Sequence, residues 1–423
     1  MTDFTAYDTK IMDPDWFASL DYLDVLAQMR AEEPIRWVED PKYGKNYWLL
    51  TRHDHISEYL LDPGRLSVRF DTRIPRSPKR RTPEERHQQL FDVRLSTNDD
   101  PIHNLYRRPM NKHFSVPAIA RLADDIESVV DDIIAEAGEK GEADFVYDFA
   151  TALPMNVILG MLGVPKEDWD LLNVASWQWM SGSDPKYMID GDDVKTSLIG
   201  LQTLIDYCTE LAHERRANPQ DDFATVIANS EIDGDPLSIH EIKMWFVTMI
   251  GGGAETTRNA AAVGMWLFMN NPDQRDLLLK DPSLTKGAVE EILRWVTPER
   301  SRLRVATEDF DFHGKRFRTG DWVVGMLSSA NRDEQVFSNP NAFDITRTPN
   351  NHLSLGLGIH LCLGRALARL ELGIFFQKML QQFPDMEAVQ EPTWIRDRSV
   401  AGFSEFPVRF SPAGSLVPAL AHS

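Results

Sequence analysis

Residues 353–376 read LSLGLGIHLCLGRALARLELGIFF, a glycine-punctuated loop that runs straight into a long apolar helix with Cys362 at the junction. Gly356, Gly358 and Gly364 let the backbone turn tightly and approach a flat ligand, because glycine carries no Cβ. Amide N–H groups at a helix start can point at a sulfur, stabilise its anionic form and moderate its electron donation. A lone cysteine is most often a small buried residue. Three glycines, His360 two positions ahead of the sulfur and an adjoining helix make a rarer conjunction, and it suits a thiolate on iron.

Upstream, SIHEIKMWFVTMIGGGAETTRNAAAVGMWLFMN (238–270) predicts one long helix, opened by Ser238 with Glu241 in capping-box spacing and closed before Pro272. A glycine inside a helix costs about 1 kcal/mol relative to alanine, so Gly251, Gly252 and Gly253 mark a place where side chains must be absent. A large planar ligand pressed on the helix would require that; a loop joining two core helices is the plainer reading of GGG alone. Glu255 and Thr256 follow at once, a carboxylate and a hydroxyl able to steer protons into a local opening of the helix.

Together these segments resemble the cytochrome P450 superfamily. Gly358, His360, Cys362 and Gly364 match its haem-binding loop, Phe-x-x-Gly-x-(Arg/His)-x-Cys-x-Gly, and Gly252, Gly253, Glu255, Thr256 and Thr257 match its oxygen-binding helix. Leu355 departs from the pattern by standing where the family almost always has Phe, which removes a ring packed near the sulfur. The resemblance implies a mainly α fold with small β-sheets, the cytochrome P450 fold, and haem b (iron protoporphyrin IX) ligated through Cys362. It implies Thr256 and Glu255 as catalytic residues that deliver protons. Members that take peroxide directly tend to lack such a pair, so the expected chemistry is reductive activation of O2. The two electrons are then expected from a ferredoxin served by a separate NAD(P)H-dependent reductase.

Haem propionates need cations, and His103 and Arg107 in DDPIHNLYRR, Arg304 in LRVA and His360 stand at family-like positions. Asp100 and Pro101 read as a helix start, which puts His103 and Arg107 on one face. Glu291 and Arg294 match the family's Glu-x-x-Arg pair, with Arg347 as third member of a structural triad. Arg302 stays open between a propionate and a substrate carboxylate. Family position places the substrate pocket at Phe91–Leu95, Phe246, Ile250, Ala254, Thr297–Leu303 and Ala401–Phe403, a mostly apolar set. The expected substrate is therefore terpenoid, steroid-like or aliphatic, the alternative being an aromatic or fatty acid. The run ANRDEQVFSNPNAFDITRTPNNHL (330–353) is especially like soluble bacterial members, including those acting on terpenoids.

Outward from these motifs, IRWVE and NYWLLTR flank DPKYGK as a hairpin, and HISEYLLDP reads as a short helix. Helical periodicity dominates from about Ile119 to Gly264, from Lys286 to Val296 and from Leu363 to Phe383. The basic, Pro-interrupted stretch Arg65–Arg86 shows neither period and predicts a long loop, solvated or serving as a lid. No repeat or linker divides residues 1–423, so a single domain is expected. A net charge of −20 excludes broad nucleic-acid binding. Two cysteines, Cys208 and Cys362, argue against a disulfide framework. No basic-then-apolar leader and no membrane-length apolar run occur, which predicts a cytoplasmic protein; a monomer is expected. A gas-sensing haem protein would keep Cys362 without needing Glu255 and Thr256, and a haem-free helical binding protein would need none of these motifs.

Overall fold

The hairpin forms as its pattern predicts: β1 (Ile35–Val38) pairs antiparallel with β2 (Tyr47–Leu50), Ile35 opposite Leu50. This computed structural model describes residues 2–75, 78–180, 182 and 185–412. α1 (His53–Leu61) follows, then the two-residue strand β3 (Leu66–Ser67) and α2 (Pro83–Gln88). α3 (Ile102–Asn111), α4 (Ala152–Met161), α5 (Trp169–Met180) and α6 (Asp193–Ala217) lead to α7 (Ile239–Asn270). α8 (Thr285–Val296), β4 (Arg302–Ala306), β5 (Trp322–Gly325) and α9 (Arg365–Gln382) complete the frame of the site. The fold is mainly helical with small sheets, as expected.

The largest sheet has the order β1-β2-β5-β4-β3, with β2 and β5 parallel and the other neighbours antiparallel. Its strands are apolar on both faces. Leu49, Leu303, Trp322 and Val324 pack with Phe17 and Leu26, while Leu50, Leu66, Ala306 and Val323 pack with Ile56 and Tyr59 of α1. The period-two alternation of side chains thus serves two cores at once.

The basic stretch Arg65–Arg86 is not loop throughout. Its start supplies β3, which pairs with β4, and its end becomes α2. Thr82 and Glu85 form a reciprocal capping box there, with Pro83 in the first turn. The cue was TPEE itself, outweighed in the sequence by the charges and prolines around it. Positions 76 and 77 of that stretch lie outside the described residues.

α7 runs through the centre, packed against α4, α5, α6, α8 and α9. Ser238 and Glu241 make the expected capping box, and the helix is continuous through all three glycines, with no local opening. Its first half buries Ile242, Trp245, Phe246 and Ile250 in one core, and its second half buries Val263, Met265, Leu267 and Phe268 in another. Each such side chain contributes roughly 1.5–3 kcal/mol, which outweighs the penalty of about 1 kcal/mol per glycine. Tertiary packing, and not propensity, holds this helix.

The predicted triad is formed, with Glu291 and Arg294 fully buried and Arg347 at their edge. Arg294 donates to Glu291 at 2.8 and 2.7 Å, and Arg347 Nε donates to the same carboxylate at 3.0 Å. The other donors of Arg294 reach the carbonyls of Asn331, Pro340 and Ala342. Among the described residues no helix is long and apolar enough to cross a membrane.

Candidate active site

The cysteine loop obtains its shape from two glycines. Gly356 and Gly358 have φ of +73° and +68°, and a Cβ on Gly358 would press on the carbonyl of Leu60 at 3.2 Å. Gly364 has an ordinary negative φ, so its use is bareness: a Cβ there would meet nothing within 4 Å. Cys362 N–H donates to the Leu355 carbonyl at 2.8 Å, and the Gly364 N–H is directed at the sulfur. Burial pushes the thiol pKa up, opposed by that N–H and by Arg302, Arg107 and Arg365. Cys208 is a buried, free thiol remote from this loop, in the core beneath α6.

A cavity of about 780 Å³ opens beside the sulfur. Cys362, Gly364 and Leu355 border it, and α7 contributes Trp245, Met249, Gly252 and Thr256. These four recur at the spacing of one helical stripe. Phe246, Ile250 and Ala254, expected in the pocket, instead point into the core, because one residue of register turns a side chain by about 100°. Ala401–Phe403 are also buried in core positions, and Asp397, Arg398 and Ser399 line the cavity in their place. The three glycines separate in role too. Gly251 lies against the indole of Trp179 and Gly253 against Ile158, so side chains there would collide, whereas Gly252 faces open space. Only Gly252 has the bareness that a planar ligand requires.

Thr256 Oγ1 donates to the Gly252 carbonyl at 3.2 Å, one turn back, which keeps the hydroxyl at the cavity edge without breaking the helix. Glu255 is buried and accepts from Arg73 Nη2 at 3.1 Å. Arg73 is bonded also to Glu299, whose other oxygen lies 3.3 Å from Arg302. Arg302, left open by the sequence, is therefore matched to a carboxylate of the chain. Glu299 falls inside the expected lining Thr297–Leu303, but its pairing with Arg73, and Arg73 itself, escaped the sequence reading because nothing but charge distinguishes them within their loops.

His103, Arg107, Arg304 and His360 do converge on the cavity wall. Arg304 donates to the carbonyls of Tyr59 and Leu60, and Arg107 to that of Ile359, so neither guanidinium meets a carboxylate. The rings of His103 and His360 stand 4.5 Å apart; His103 Nδ1 lies 3.7 Å from the Asp100 carboxylate, and His360 Nε2 is buried without a hydrogen-bond partner among the described residues. Burial, with His103, Arg304, Arg302 and Arg107 nearby, pushes His360 down to about 3. A polar wall this short of negative charge fits a dianionic ligand, and a thiol beside a glycine-bare helix face fits a flat one carrying a metal. Haem b meets both conditions.

Glu371 of α9 also lines the cavity, and burial alone holds its carboxyl up at about 8, against an ordinary 4.5. The native state thus keeps a proton that the unfolded chain releases. The resulting stability is fully present below the unfolded value and is lost as pH rises through the folded one. Glu371→Gln is expected to raise the melting temperature by several degrees at pH 8 and to change it little at pH 5. Thermal unfolding at both pH values checks this, and equal shifts would exclude the buried acid as the cause.

Fold and cavity together define a helical enzyme whose Cys362-bordered cavity would hold a flat, iron-bearing prosthetic group. Residues 74–393 match the family model of cytochrome P450, and the chain belongs to that family, whose members bind haem b. It is a P450 monooxygenase, an oxidoreductase that uses O2 and redox partners. A steroid C26-monooxygenase of Mycolicibacterium smegmatis is 34% identical over 398 residues, covering 93% of this chain and 91% of that one. The crystal structure of CYP108D1 from Novosphingobium aromaticivorans matches with a TM-score of 0.86 at 28% identity, over 97% of this chain and 99% of that one. CYP109E1 from Bacillus megaterium, in complex with testosterone, matches with a TM-score of 0.81 at 26% identity, over 92% and 98% of the two chains.

Proposed function

We propose that this monooxygenase hydroxylates a steroid-like or terpenoid molecule, with Cys362 as the iron ligand. The observation that carries the reading is a single cavity bordered at once by the Cys362 thiol, bare Gly252, the Thr256 hydroxyl and an apolar wall including Trp245, Met249 and Leu303. The steroid class is supported by the steroid C26-monooxygenase relative and by the testosterone-bound neighbour. Bound there, haem supplies thiolate-supported activation of O2, one atom entering a C–H bond and the other leaving as water.

The chain's own groups bind, orient and move protons. His103, Arg107, Arg304 and His360 hold the propionates, and Gly252 and Gly364 leave room for the ring. Trp245, Met249 and Leu303 exclude water and orient the apolar body of the substrate. Thr256 Oγ1 donates into the cavity when it turns from the Gly252 carbonyl, and Glu255 passes protons towards it once Arg73 releases its carboxylate. Residues 1–423 act as one domain, a cytoplasmic monomer that receives its electrons from a ferredoxin served by a separate NAD(P)H-dependent reductase.

Haem-loaded protein supplied with ferredoxin, reductase, NAD(P)H and either testosterone or cholest-4-en-3-one is expected to yield a product one oxygen heavier by mass spectrometry. Thr256→Val is expected to lower that yield by about 10²-fold while the substrate-induced spectral change persists. Spectral binding of both steroids without any oxygenated product would count against the assigned substrate class.

A further inference from the structure

The cavity wall around Phe91 carries more positive charge than the chain neutralises. Three guanidinium groups stand over the ring of Phe91: Arg81 at 4.0 Å, Arg94 at 4.5 Å and Arg86 at 5.6 Å from its centroid. Among the described residues one carboxylate is bonded to this trio, Asp71, which accepts from Arg81 Nη1 at 3.1 Å. Arg86 donates to the carbonyls of Arg69 and Phe91 at 2.6 and 3.2 Å. Arg94 donates to the Gln89 carbonyl at 2.8 Å and otherwise lies between the rings of Phe91 and Trp179, the second at 5.3 Å. Among the described residues it has no carboxylate partner. The next cation, Arg73, is taken by Glu255 and Glu299, and Arg302 by Glu299.

Arg81, Gln89, Phe91, Arg94 and Trp179 all line the substrate cavity, so the surplus charge faces the space the substrate occupies. Burial, with Arg81, Arg73 and Arg86 close by and Asp71 only partly opposing them, holds the Arg94 guanidinium down to about 10. A half-buried cation in that state is stabilised by an incoming anion. The planar fork of arginine matches a carboxylate through two parallel hydrogen bonds. Phe91 and Trp179 beside it offer apolar surface to the carbon chain that carries such a group.

We propose that Arg94, with Arg81 beside it, forms an anion subsite in the cavity, and that the substrate is an elongated apolar acid whose carboxylate binds there. Its far, apolar end is then the part presented for oxidation. The inference rests on the apolar-substrate reading above and refines it to a carboxylate-bearing steroid, terpenoid or alkyl chain. It also moves the carboxylate anchor, which the sequence offered to Arg302, to a side chain without a carboxylate partner among the described residues.

The test titrates haem-loaded protein with lithocholic acid, its methyl ester and testosterone, following the spin-state change of the haem band and confirming affinities by calorimetry. The acid is expected to bind at least about tenfold more tightly than its ester, as a charge-assisted hydrogen-bonded pair requires. Arg94→Gln is expected to bring the acid-to-ester ratio close to one, and Arg94→Lys, which keeps the charge but not the fork, to retain part of it. The carbon monoxide spectrum of each variant reports whether fold and haem are intact. Equal affinity for acid and ester in the unaltered protein, or a preference that survives Arg94→Gln, overturns the subsite and leaves the apolar-substrate reading standing. No response to any of the three compounds overturns both.

Discussion

Replacing Cys362 by serine is expected to abolish the strongly red-shifted absorption band of the dithionite-reduced, carbon monoxide-bound protein and to reduce hydroxylation to background. The argument is one of charge. A serine hydroxyl does not ionise under the conditions in which a thiol beside the Gly364 N–H, Arg107 and Arg302 can lose its proton to a metal. The fold should tolerate the change, because Cys362 bonds through its backbone: its N–H donates to the Leu355 carbonyl, and its carbonyl accepts from Arg365 Nη1 at 3.0 Å. Circular dichroism should therefore be unchanged while the spectrum is not. Retention of the red-shifted band in Cys362→Ser would remove Cys362 from the role of ligand.

The second large effect is on stability. Arg294→Ala leaves Glu291 fully buried with Arg347 as its remaining guanidinium partner, and leaves the carbonyls of Asn331 and Pro340 without the donor they share. Breaking a buried pair in this way costs about 3–5 kcal/mol, set against a typical total of about 5–15 kcal/mol. Chemical denaturation is expected to show a large share of the folding stability gone, with haem uptake weakened at 37 °C. Arg347→Ala is expected to cost less, since Glu291 then keeps both bonds from Arg294. A small effect of Arg294→Ala would mean that the surrounding carbonyls find water, and that the triad is less dry than its burial implies.

Much of this was legible in the sequence, for identifiable reasons. Cys362 and its glycines announced themselves because a loop that must approach a ligand closely has few residue types to choose from. α7 was legible because a capping box, an apolar run and a closing proline all act locally. What was missed depends on rotation about an axis or on partners far along the chain. Phe246 and Trp245 are neighbours with similar chemistry, and only the packing of α7 decides which faces the cavity. The bond from Arg73 to Glu255 spans 182 positions, and no local pattern encodes it. Glu371 reads as one more polar residue on a helix until burial with nothing to pair it becomes visible.

The division of labour among the three glycines makes α7 a ruler as well as a wall. Inserting or deleting one residue between Ser238 and Gly251 would rotate everything beyond it by about 100° relative to the first core. Another position would then face the cavity in place of Gly252, and Gly252 itself would turn towards packed neighbours. Length can vary in the connections before Ser238 and after Asn270, but within the helix the count of residues is itself part of the catalytic design.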